Sequence, residues 1–400
     1  MAVPAAQAAP NPTVNPGDLV ISEFRFHGPS GASDEFFEIY NRTGNSIDLN
    51  SDEDASVFWI EYWDPTPPAG SMQIVPAFDS DVGPRRKYLM TNKPGSGGYS
   101  LDGYAFGDTE YDVTGVGGDV PFNGGVALYY DPDVNDGINQ RTRIDAAGFT
   151  GGSGGGVNYW EGIAEPPLSS ALTTENYSHY RKFTSVGLPT DTNSNSPDFH
   201  LAVTDDTATY GGQPAIMGAP GPENRAAPPL ENDGATPSVA NDGMLSQLMN
   251  PGVSSSSFPN REYVAPSGCS GSPAVCTTPG TLTIRRRIVN RTGSGVTELR
   301  FRITQLTTYG TATSSQALLR AIDTNTATVA GEPALGTKVE EPPNQLPEGG
   351  GINSSMFVNL AEDPGLPGGV LPNGGDVVVT FRFAVDRGGS YQFSYNHEAA

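Results

Sequence analysis

The sequence is poor in basic residues, and it contains no long apolar run. Its 400 residues include 22 basic and 45 acidic side chains, which gives a formal net charge of −23. Such an acidic chain repels phosphate backbones, so nucleic acid is not expected as a partner. No stretch reaches the roughly 18 apolar residues that a transmembrane helix needs. We therefore expect no membrane span.

Cysteine is scarce and occurs only at Cys269 and Cys276, in the stretch "CSGSPAVC". Two thiols without a nearby histidine make a poor metal site. An oxidising compartment would join them in a disulfide, whereas a reducing one would leave free thiols. The sequence alone leaves both states open.

Motifs for nucleophilic or phosphoryl-transfer catalysis are missing. The sequence has no Gly-x-Ser-x-Gly elbow and no Walker-type phosphate loop. The four histidines are scattered without metal-ligand spacing: His27, His179, His200 and His397. We therefore predict no catalytic residues and no enzyme. The alternative is an accessory or catalytic part of a secreted hydrolase, with long loops at 61–85 and 151–180 forming its site.

Glycine and proline are abundant, with 50 and 35 residues. A chain of this kind cannot be mostly helical. Short β-branched and aromatic runs such as "DLVISEFRFHG" and "GGVALYYD" alternate with turn clusters, which predicts strands. The best helix candidate is the short segment 241–250. The fold class predicted is all-β, with two β-sandwich domains joined by a Pro-rich linker.

Four regions follow from composition. Residues 1–15 read as a disordered leader or an N-terminal arm, in which Ala6-Gln7-Ala8 resembles the end of a signal peptide. Residues 16–224 form the first sandwich, residues 225–260 the linker, and residues 261–400 the second sandwich. The charge is uneven, because residues 1–260 hold 33 acidic and 11 basic side chains, against 12 and 11 in the rest.

The C-terminal region shows the clearest alternation. Residues 376–396, "DVVVTFRFAVDRGGSYQFSYN", place Val377, Val379 and Phe381 on one face and polar residues on the other, which predicts a hairpin with one wet face. Residues 281–304 predict a second hairpin, with Leu299, Phe301 and Ile303 facing inward and two arginines facing outward.

A resemblance is carried by "LVISEFRF", followed by "DEFFEIYNRTGNSIDL" at 34–49 and then by "KYLMTN", "GGVALYYD", "RIDAAGF" and "DFHLAVT". Residues 16–224 resemble a lamin tail domain, which implies an Ig-like β-sandwich. Residues 261–400 are similar to a β-sandwich module of secreted bacterial proteins. Neither resemblance implies a biochemical activity.

The acidic residues in "DEFFEIYN" raise the question of an acid–base site. In an extended strand Glu35 and Glu38 point to opposite faces, so they do not form a catalytic pair. We expect Glu38 to accept hydrogen bonds from a nearby backbone and so to fix the chain entering Asn41.

Two loops have the short oxygen side chains that suit calcium. The stretch "DTNSNSPD" supplies Asp191, Asn193, Asn195 and Asp198. The stretch "DPDVNDGIN" supplies Asp131, Asp133, Asn135 and Asp136. Asp, Asn, Ser and Pro are equally the residues of ordinary surface turns, so calcium is a hypothesis here, and a turn without metal is the alternative.

Four arginines on neighbouring predicted strands form a candidate basic patch: Arg285, Arg287, Arg300 and Arg302. This patch would bind an anionic glycan or surface polymer, or the acidic domain of another copy, giving a homo-oligomer or filament. Ordinary pairing with surface acids is the alternative. Four Asn-x-Ser/Thr triplets also occur, at Asn41, Asn176, Asn290 and Asn353.

These observations predict a non-enzymatic structural or adhesion protein. It would be extracellular or at the cell surface, with calcium stiffening its loops. One alternative is a subunit of a self-assembling fibre or particle, whose strand edges join copies. The other is the secreted hydrolase named above.

Overall fold

The chain divides into two compact units of β-structure. The computed structural model describes residues 13–50, 57–65, 70–74, 81–93, 97–111, 119–133, 135, 140–184, 187–205, 209–229, 243–271, 274–307, 315–340 and 350–400. Unit 1 comprises Met1–Pro167, Asp191–Phe199 and Pro222–Ala227, and unit 2 comprises Leu168–Thr190, His200–Gly221 and Pro228–Ala400. Both units are all-β and sandwich-like, which confirms the predicted fold class.

The units are not consecutive in the chain. Residues 168–190 and 200–221, which the sequence assigns to the first sandwich, belong to unit 2. Within the predicted linker, residues 230–242 lie outside the described residues, as do residues 1–12 of the predicted leader.

Unit 1 is built from two main sheets. Its strands are β1 (Leu19–Arg25), β2 (Phe36–Asn41), β3 (Ile47–Asp48), β4 (Val57–Asp64), β5 (Gly70–Ile74), β6 (Asp81–Val82), β7 (Lys87–Asn92), β8 (Thr109–Tyr111), β9 (Gly125–Asp131), β10 (Thr142–Gly148), β11 (Ser153–Gly154) and β12 (Val157–Asn158). One sheet has the order β1-β2-β7-β8 and the other β10-β9-β4-β5. A four-residue helix, α1, spans Asn195–Asp198.

Aromatic side chains fill the interior of unit 1. The rings of Phe24 and Phe26 stack at 4.8 Å, and Phe199 meets Phe24 edge-on at 5.2 Å. All seven residues of β1 are buried, so both of its faces are covered. The predicted strand "LVISEFR" is therefore a central strand, and its polar residues Ser22 and Arg25 are buried together with the carboxylates they bind.

Unit 2 is larger. Its strands are β13 (Tyr177–Arg181), β14 (Phe199–Val203), β15 (Thr209–Tyr210), β16 (Gln213–Met217), β17 (Met244–Leu248), β18 (Arg261–Val264), β19 (Ser267–Gly271), β20 (Ala274–Thr278), β21 (Gly280–Asn290), β22 (Leu299–Leu306), β23 (Leu318–Ile322), β24 (Ala327–Val329), β25 (Glu332–Glu340), β26 (Ser355–Val358), β27 (Asp376–Arg387) and β28 (Phe393–Ala399). Short 3-10 helices span Ser170–Thr174, Leu360–Glu362 and Pro367–Gly369. The main sheet has the order β17-β21-β27-β25-β26-β22-β28 and encloses one apolar core.

The predicted hairpins are wrong, although their strands are correct. β27 lies between β21 and β25, whereas β28 pairs with β22. Likewise β21 pairs with β27, and β22 pairs with β26 and β28. The two strands of the C-terminal predicted hairpin therefore meet through side chains across the core, as in the contact of Phe383 with Phe393 at 4.6 Å. The outer face of β27 is also covered, since Val378 packs with Met249 and Val329.

In each unit, an Asn-Arg-Thr-Gly turn carries the chain out of its sheet at the end of a strand, and we call this turn the Asn-Arg-Thr-Gly crossing. Asn41 ends β2 and Asn290 ends β21. In both turns Nδ2 of the asparagine donates to the carbonyl four residues later, at 2.7 Å and 2.8 Å. It also donates to a distant carbonyl, that of Val82 at 2.9 Å or Leu371 at 2.8 Å. A buried side chain thus fixes the point at which the chain leaves the sheet.

The predicted helix at 241–250 is wrong. Residues Met244–Leu248 form β17, which pairs antiparallel with the end of β21. Pairing along a neighbouring strand satisfies the backbone, whereas an isolated helix as short as about ten residues is only marginally stable. Among the described residues, no helix has the length and apolar character required to cross a membrane.

Candidate functional site

The acids of the "DEFFEIYN" stretch each hold a different part of unit 1. The carboxylate of Asp34 forms a fully buried ion pair with Arg25. It also accepts hydrogen bonds from the backbone N–H of Ser30 at 3.0 Å and of Ser100 at 2.8 Å. Asp34 therefore ties two loops to the end of β1.

Glu35 also joins separate segments of unit 1, those that contain Asn92, Tyr111 and Val120. Its carboxylate accepts hydrogen bonds from Nδ2 of Asn92 at 2.9 Å, the hydroxyl of Tyr111 at 3.1 Å and the N–H of Val120 at 3.1 Å. Burial, followed by the charge of Asp119, raises the pKa of Glu35 well above its ordinary value. The elevated pKa results from desolvation at a structural junction, as such shifts often do away from active sites.

Glu38 lies on the opposite face, as predicted. It accepts hydrogen bonds from the hydroxyl of Ser22 at 2.5 Å and from the N–H of Glu223 at 2.8 Å. Burial raises the pKa of Glu38 to about 7, while the ammonium group of Lys87, 3.6 Å away, opposes the increase. Lys87 also pairs with the Glu223 carboxylate at 2.5 Å. Glu38 thus anchors the segment 222–227 rather than the chain entering Asn41.

In the first predicted calcium loop, the side-chain oxygens of Asn195 and Asp198 accept hydrogen bonds from the protein itself. Both carboxylate oxygens of Asp198 accept from Thr192 at 2.8 Å. The Asn195 side chain is fully buried, where its Oδ1 accepts from two backbone N–H groups and its Nδ2 donates to the carbonyl of Ala146. Asn193 is exposed and has a positive φ of 54°. The loop is therefore shaped by these internal contacts.

Asp191 instead meets two acids that the loop pattern does not include. One carboxylate oxygen each from Asp145, Glu161 and Asp191 lies within 4.8 Å of the others. Asp145 and Glu161 are buried, and Asp145 accepts from the N–H of Ile21 at 2.6 Å. Arg42 donates to Asp191 at 3.4 Å. The sequence signal for this group is Asp145, an acid placed between Ile144 and the run Ala146-Ala147 of β10.

The second predicted loop follows β9 and forms successive turns. Oδ1 of Asp131 accepts from the N–H of Asp133 at 3.2 Å, and Oδ1 of Asp133 accepts from the N–H of Asn135 at 2.9 Å. Side chains that accept from the backbone two residues later are typical of surface turns. Asp136 lies outside the described residues.

The four arginines of the predicted basic patch are paired within unit 2. Arg285 contacts Glu262 and donates to the carbonyl of Pro259. Arg287 pairs with Asp376 and with Glu332. These carboxylates neutralise the first half of the patch.

The other two arginines share one acid. Arg300 and Arg302 lie 3.2 Å and 3.3 Å from the carboxylate of Glu398. Arg302 is fully buried and donates to the carbonyls of Asn353 at 2.8 Å and Gly221 at 3.1 Å. The prediction that Arg302 faces outward is therefore wrong. The chain segments that contain Gly221 and Asn353 cover that face of β22.

Three of the four Asn-x-Ser/Thr triplets have inaccessible amides. Asn41, Asn290 and Asn353 are completely buried. Nδ2 of each donates to backbone carbonyls, in the case of Asn353 to Ala219 at 3.1 Å. These triplets serve as structural asparagines in the folded chain.

Three of the four histidines, His179, His200 and His397, lie in unit 2, whereas His27 lies in unit 1. Burial lowers the pKa of His179 to about 3 and that of His397 to about 4. His200 lies in β14 and has a pKa of about 4, because of burial and the nearby charge of Lys182. All three are neutral at neutral pH.

Cys269 and Cys276 lie directly opposite each other on the paired strands β19 and β20 and are joined by a disulfide. The long segment 151–180 contains β11, β12, one 3-10 helix and most of β13. The described part of the segment 61–85 contains the end of β4, its partner β5, and β6.

No protein-family model matches the chain, and no curated protein matches it. The resemblance of residues 16–224 to a lamin tail domain, and that of residues 261–400 to a secreted bacterial module, stay predictions.

Proposed function

We propose that this chain is a non-enzymatic structural protein of the extracellular space or cell surface that acts in adhesion or assembly. The observation that carries the proposal is the use of Asp34, Glu35 and Glu38. Each of these buried carboxylates connects separate loops of unit 1 through hydrogen bonds. Acids used in this way stiffen a scaffold, whereas a catalytic acid needs access to a substrate.

The disulfide supports the extracellular part of the proposal. Disulfides persist in oxidising compartments and are rare where thiols are kept reduced. The bond joins Cys269 and Cys276 on a hairpin whose described side chains are mostly exposed, so it braces a surface feature of unit 2.

Calcium binding forms part of the same proposal and is assigned to Asp145, Glu161 and Asp191. One carboxylate oxygen of each lies within 4.8 Å of the other two. Oxygen ligands of this kind suit a hard divalent ion. The nearby guanidinium of Arg42 supplies some of the compensating charge, so the ion would be bound alongside it.

Thermal unfolding with calcium and with a chelator tests this assignment. A ligand that binds only the folded state adds about 2.7 kcal/mol of stability at a hundred times its dissociation constant. We expect calcium to raise the unfolding midpoint of the native chain and of Asp133→Asn, which alters the second loop. Glu161→Gln should lose the increase. An equal increase in Glu161→Gln, or none in the native chain, would contradict the assignment.

A second candidate, a subunit of a self-assembling fibre or particle, is favoured by strand β18. Its burial decreases along the strand, and Tyr263 and Val264 are 51% and 62% exposed. Among the described strands β18 pairs with β21 alone. An exposed apolar edge of this kind can accept a strand from another copy.

Light scattering against protein concentration tests this second candidate. Val264→Lys places a charge on the strand edge, which discourages pairing between edges. We expect the native chain to form higher-mass species and Val264→Lys to remain monomeric. Val253→Lys is the control, because Val253 is also exposed but lies in a turn. A native chain that stays monomeric at all concentrations would rule out the fibre.

A further inference from the structure

Unit 2 contains a cavity of about 810 Å³ that opens beside its apolar core. Four residues of that core line the cavity and form its aliphatic floor: Leu282, Ala317, Leu319 and Val385. The volume is within the range of about 300–1,000 Å³ found for small-molecule sites. The described residues that line this cavity all belong to unit 2, so it is separate from the acidic group of unit 1.

The connection 388–392 between β27 and β28 forms one wall of the cavity, and backbone hydrogen bonds hold it in place. The N–H of Ala317 donates to the carbonyl of Ser390 at 2.7 Å. The N–H of Gln392 donates to the hydroxyl of Thr307 at 2.9 Å, and the N–H of Thr307 donates to the carbonyl of Gln392 at 3.2 Å. The wall is therefore formed before any ligand binds, as is usual for small-molecule sites.

Aromatic side chains stand above the aliphatic floor: Tyr263, Tyr391 and Phe393. Tyr263 lies opposite Leu282 on the paired strands β18 and β21, so the two side chains project from the same face of the sheet. A Cβ atom at Gly388 would lie 3.0 Å from the hydroxyl of Tyr263, so the Tyr263 side chain reaches the connection 388–392. Its ring is half exposed and can contact the face or edge of another ring.

Arg261 supplies the one full charge among the described residues that line the cavity, and these include no aspartate or glutamate. It lies two residues before Tyr263 on β18 and therefore on the same face. Its Nη1 donates to the hydroxyl of Tyr391 at 3.0 Å, and its guanidinium lies 5.9 Å from the centre of that ring. A guanidinium has five N–H donors, and this hydrogen bond to a neutral hydroxyl uses one of them.

This lining favours a ligand with a flat apolar body and an anionic group. A cation would meet Arg261, and a wholly apolar ligand would leave guanidinium N–H groups without an acceptor. A sugar would place hydroxyls over the side chains of Leu282, Leu319 and Val385, which offer no hydrogen-bond partner. An aryl ring instead contacts the aliphatic floor and the aromatic walls, while a carboxylate accepts two parallel hydrogen bonds from a guanidinium.

We propose that this cavity binds an aromatic carboxylate, with Arg261 pairing with the carboxylate and Tyr263 contacting the ring. Ser390, Gln392 and Ser394 also line the cavity and offer hydrogen bonds to polar substituents of the ligand. The site goes beyond the proposed structural role and depends neither on it nor on a second copy of the chain. The ligand is either a free aryl acid or the C-terminal aromatic residue of a peptide, since both present a ring and a carboxylate.

Isothermal titration calorimetry of the full chain tests this proposal. Phenylpropionate is the main probe, whereas phenylpropanol lacks the charge, acetate lacks the ring and octanoate has an aliphatic chain in its place. We expect phenylpropionate to bind at least about ten-fold more tightly than each of these three. Absence of phenylpropionate binding, or equal affinity for any of the three, would overturn the proposal.

A fifth probe, N-acetylphenylalanine, distinguishes the two sources of the ligand. It carries the ring and carboxylate of phenylpropionate together with one peptide group. Tighter binding than that of phenylpropionate would identify a peptide end as the natural ligand. Equal or weaker binding would identify a free aryl acid.

Variants locate the site. Arg261→Met should weaken phenylpropionate binding about ten-fold or more while leaving the weak binding of phenylpropanol unchanged. Arg291→Met is the matched control, because Arg291 is an exposed arginine of the same unit and does not line the cavity. If Arg261→Met does not fold, as judged by circular dichroism, Tyr263→Ala replaces it, since the Tyr263 side chain is half exposed. Native affinity for phenylpropionate in the folded variant would overturn the proposal.

Discussion

Unit 1 buries glutamates whose pKa values rise, whereas unit 2 buries histidines whose pKa values fall. In unit 1, burial raises the pKa values of Glu35 and Glu38. In unit 2, burial lowers the pKa values of His179 and His397. The two units nevertheless share the same Asn-Arg-Thr-Gly crossing, with nearly identical hydrogen bonds. The comparison shows that one way of turning a β chain serves two cores with different electrostatics.

The largest effect is expected from removing one partner of the buried Arg25–Asp34 ion pair in unit 1. Arg25→Met leaves the carboxylate of Asp34 buried without its ion-pair partner, which we expect to lower the free energy of unfolding by about 3–5 kcal/mol. The measurement is urea denaturation at neutral pH. Lys93→Met is the control, because the partners of Lys93 are exposed and solvent screens the interaction. Similar losses in the two variants would contradict a special role for the buried pair.

The next effect compares the shared turn in the two units. Asn41→Ala and Asn290→Ala each leave one buried carbonyl, that of Val82 or of Leu371, without this donor, at a cost of about 1–3 kcal/mol. We expect the two variants to lose similar stability in urea denaturation, because their hydrogen bonds match. Thr43→Val and Thr292→Val should cost less, since each hydroxyl lies nearer the solvent. A large difference between the asparagine variants would show that the surrounding core, rather than the turn, sets the cost.

The smallest effect is expected from pH, per pH unit, because the pKa values of buried His397 and Glu38 are shifted in opposite directions. His397 has a folded pKa of about 4, below its ordinary 6.5, so the unfolded chain binds the proton more strongly. Stability from this residue is present above pH 6.5 and is lost as the pH falls toward 4. Glu38 has a folded pKa of about 7, above its ordinary 4.5, so its contribution is present below pH 4.5 and is lost as the pH rises toward 7.

Urea denaturation across this pH range checks the signs. Each group contributes a slope of at most about 1.4 kcal/mol per pH unit. Relative to the native chain, His397→Gln should be less sensitive to acid, and Glu38→Gln should lose less stability as the pH rises from 4.5 to 7. Parallel pH profiles for the native chain and both variants would contradict the assignments. The slopes, rather than the absolute stabilities, are compared because both substitutions also change packing.

The sequence by itself determined the all-β class and the position of the main strands. Local patterns suffice here, since β-branched and aromatic runs bounded by Gly, Pro and Asn disfavour helix wherever they occur. The same local reading predicted that Glu35 and Glu38 face opposite ways, because side chains alternate along a strand. It also placed short oxygen side chains in the turns at 131–136 and 191–198.

Only the tertiary structure decided which strands pair and which charges meet. β27 and β28 look like a hairpin in sequence, yet each pairs with strands far along the chain, because the connection at residues 388–392 joins the two strands without pairing them to each other. Asp191 meets Asp145 and Glu161 because the buried Asn195 side chain hydrogen-bonds to the backbone of β10 and of Glu161 and holds the 191–198 loop against them. Residue spacing describes neighbours along the chain, whereas burial and charge depend on neighbours across it.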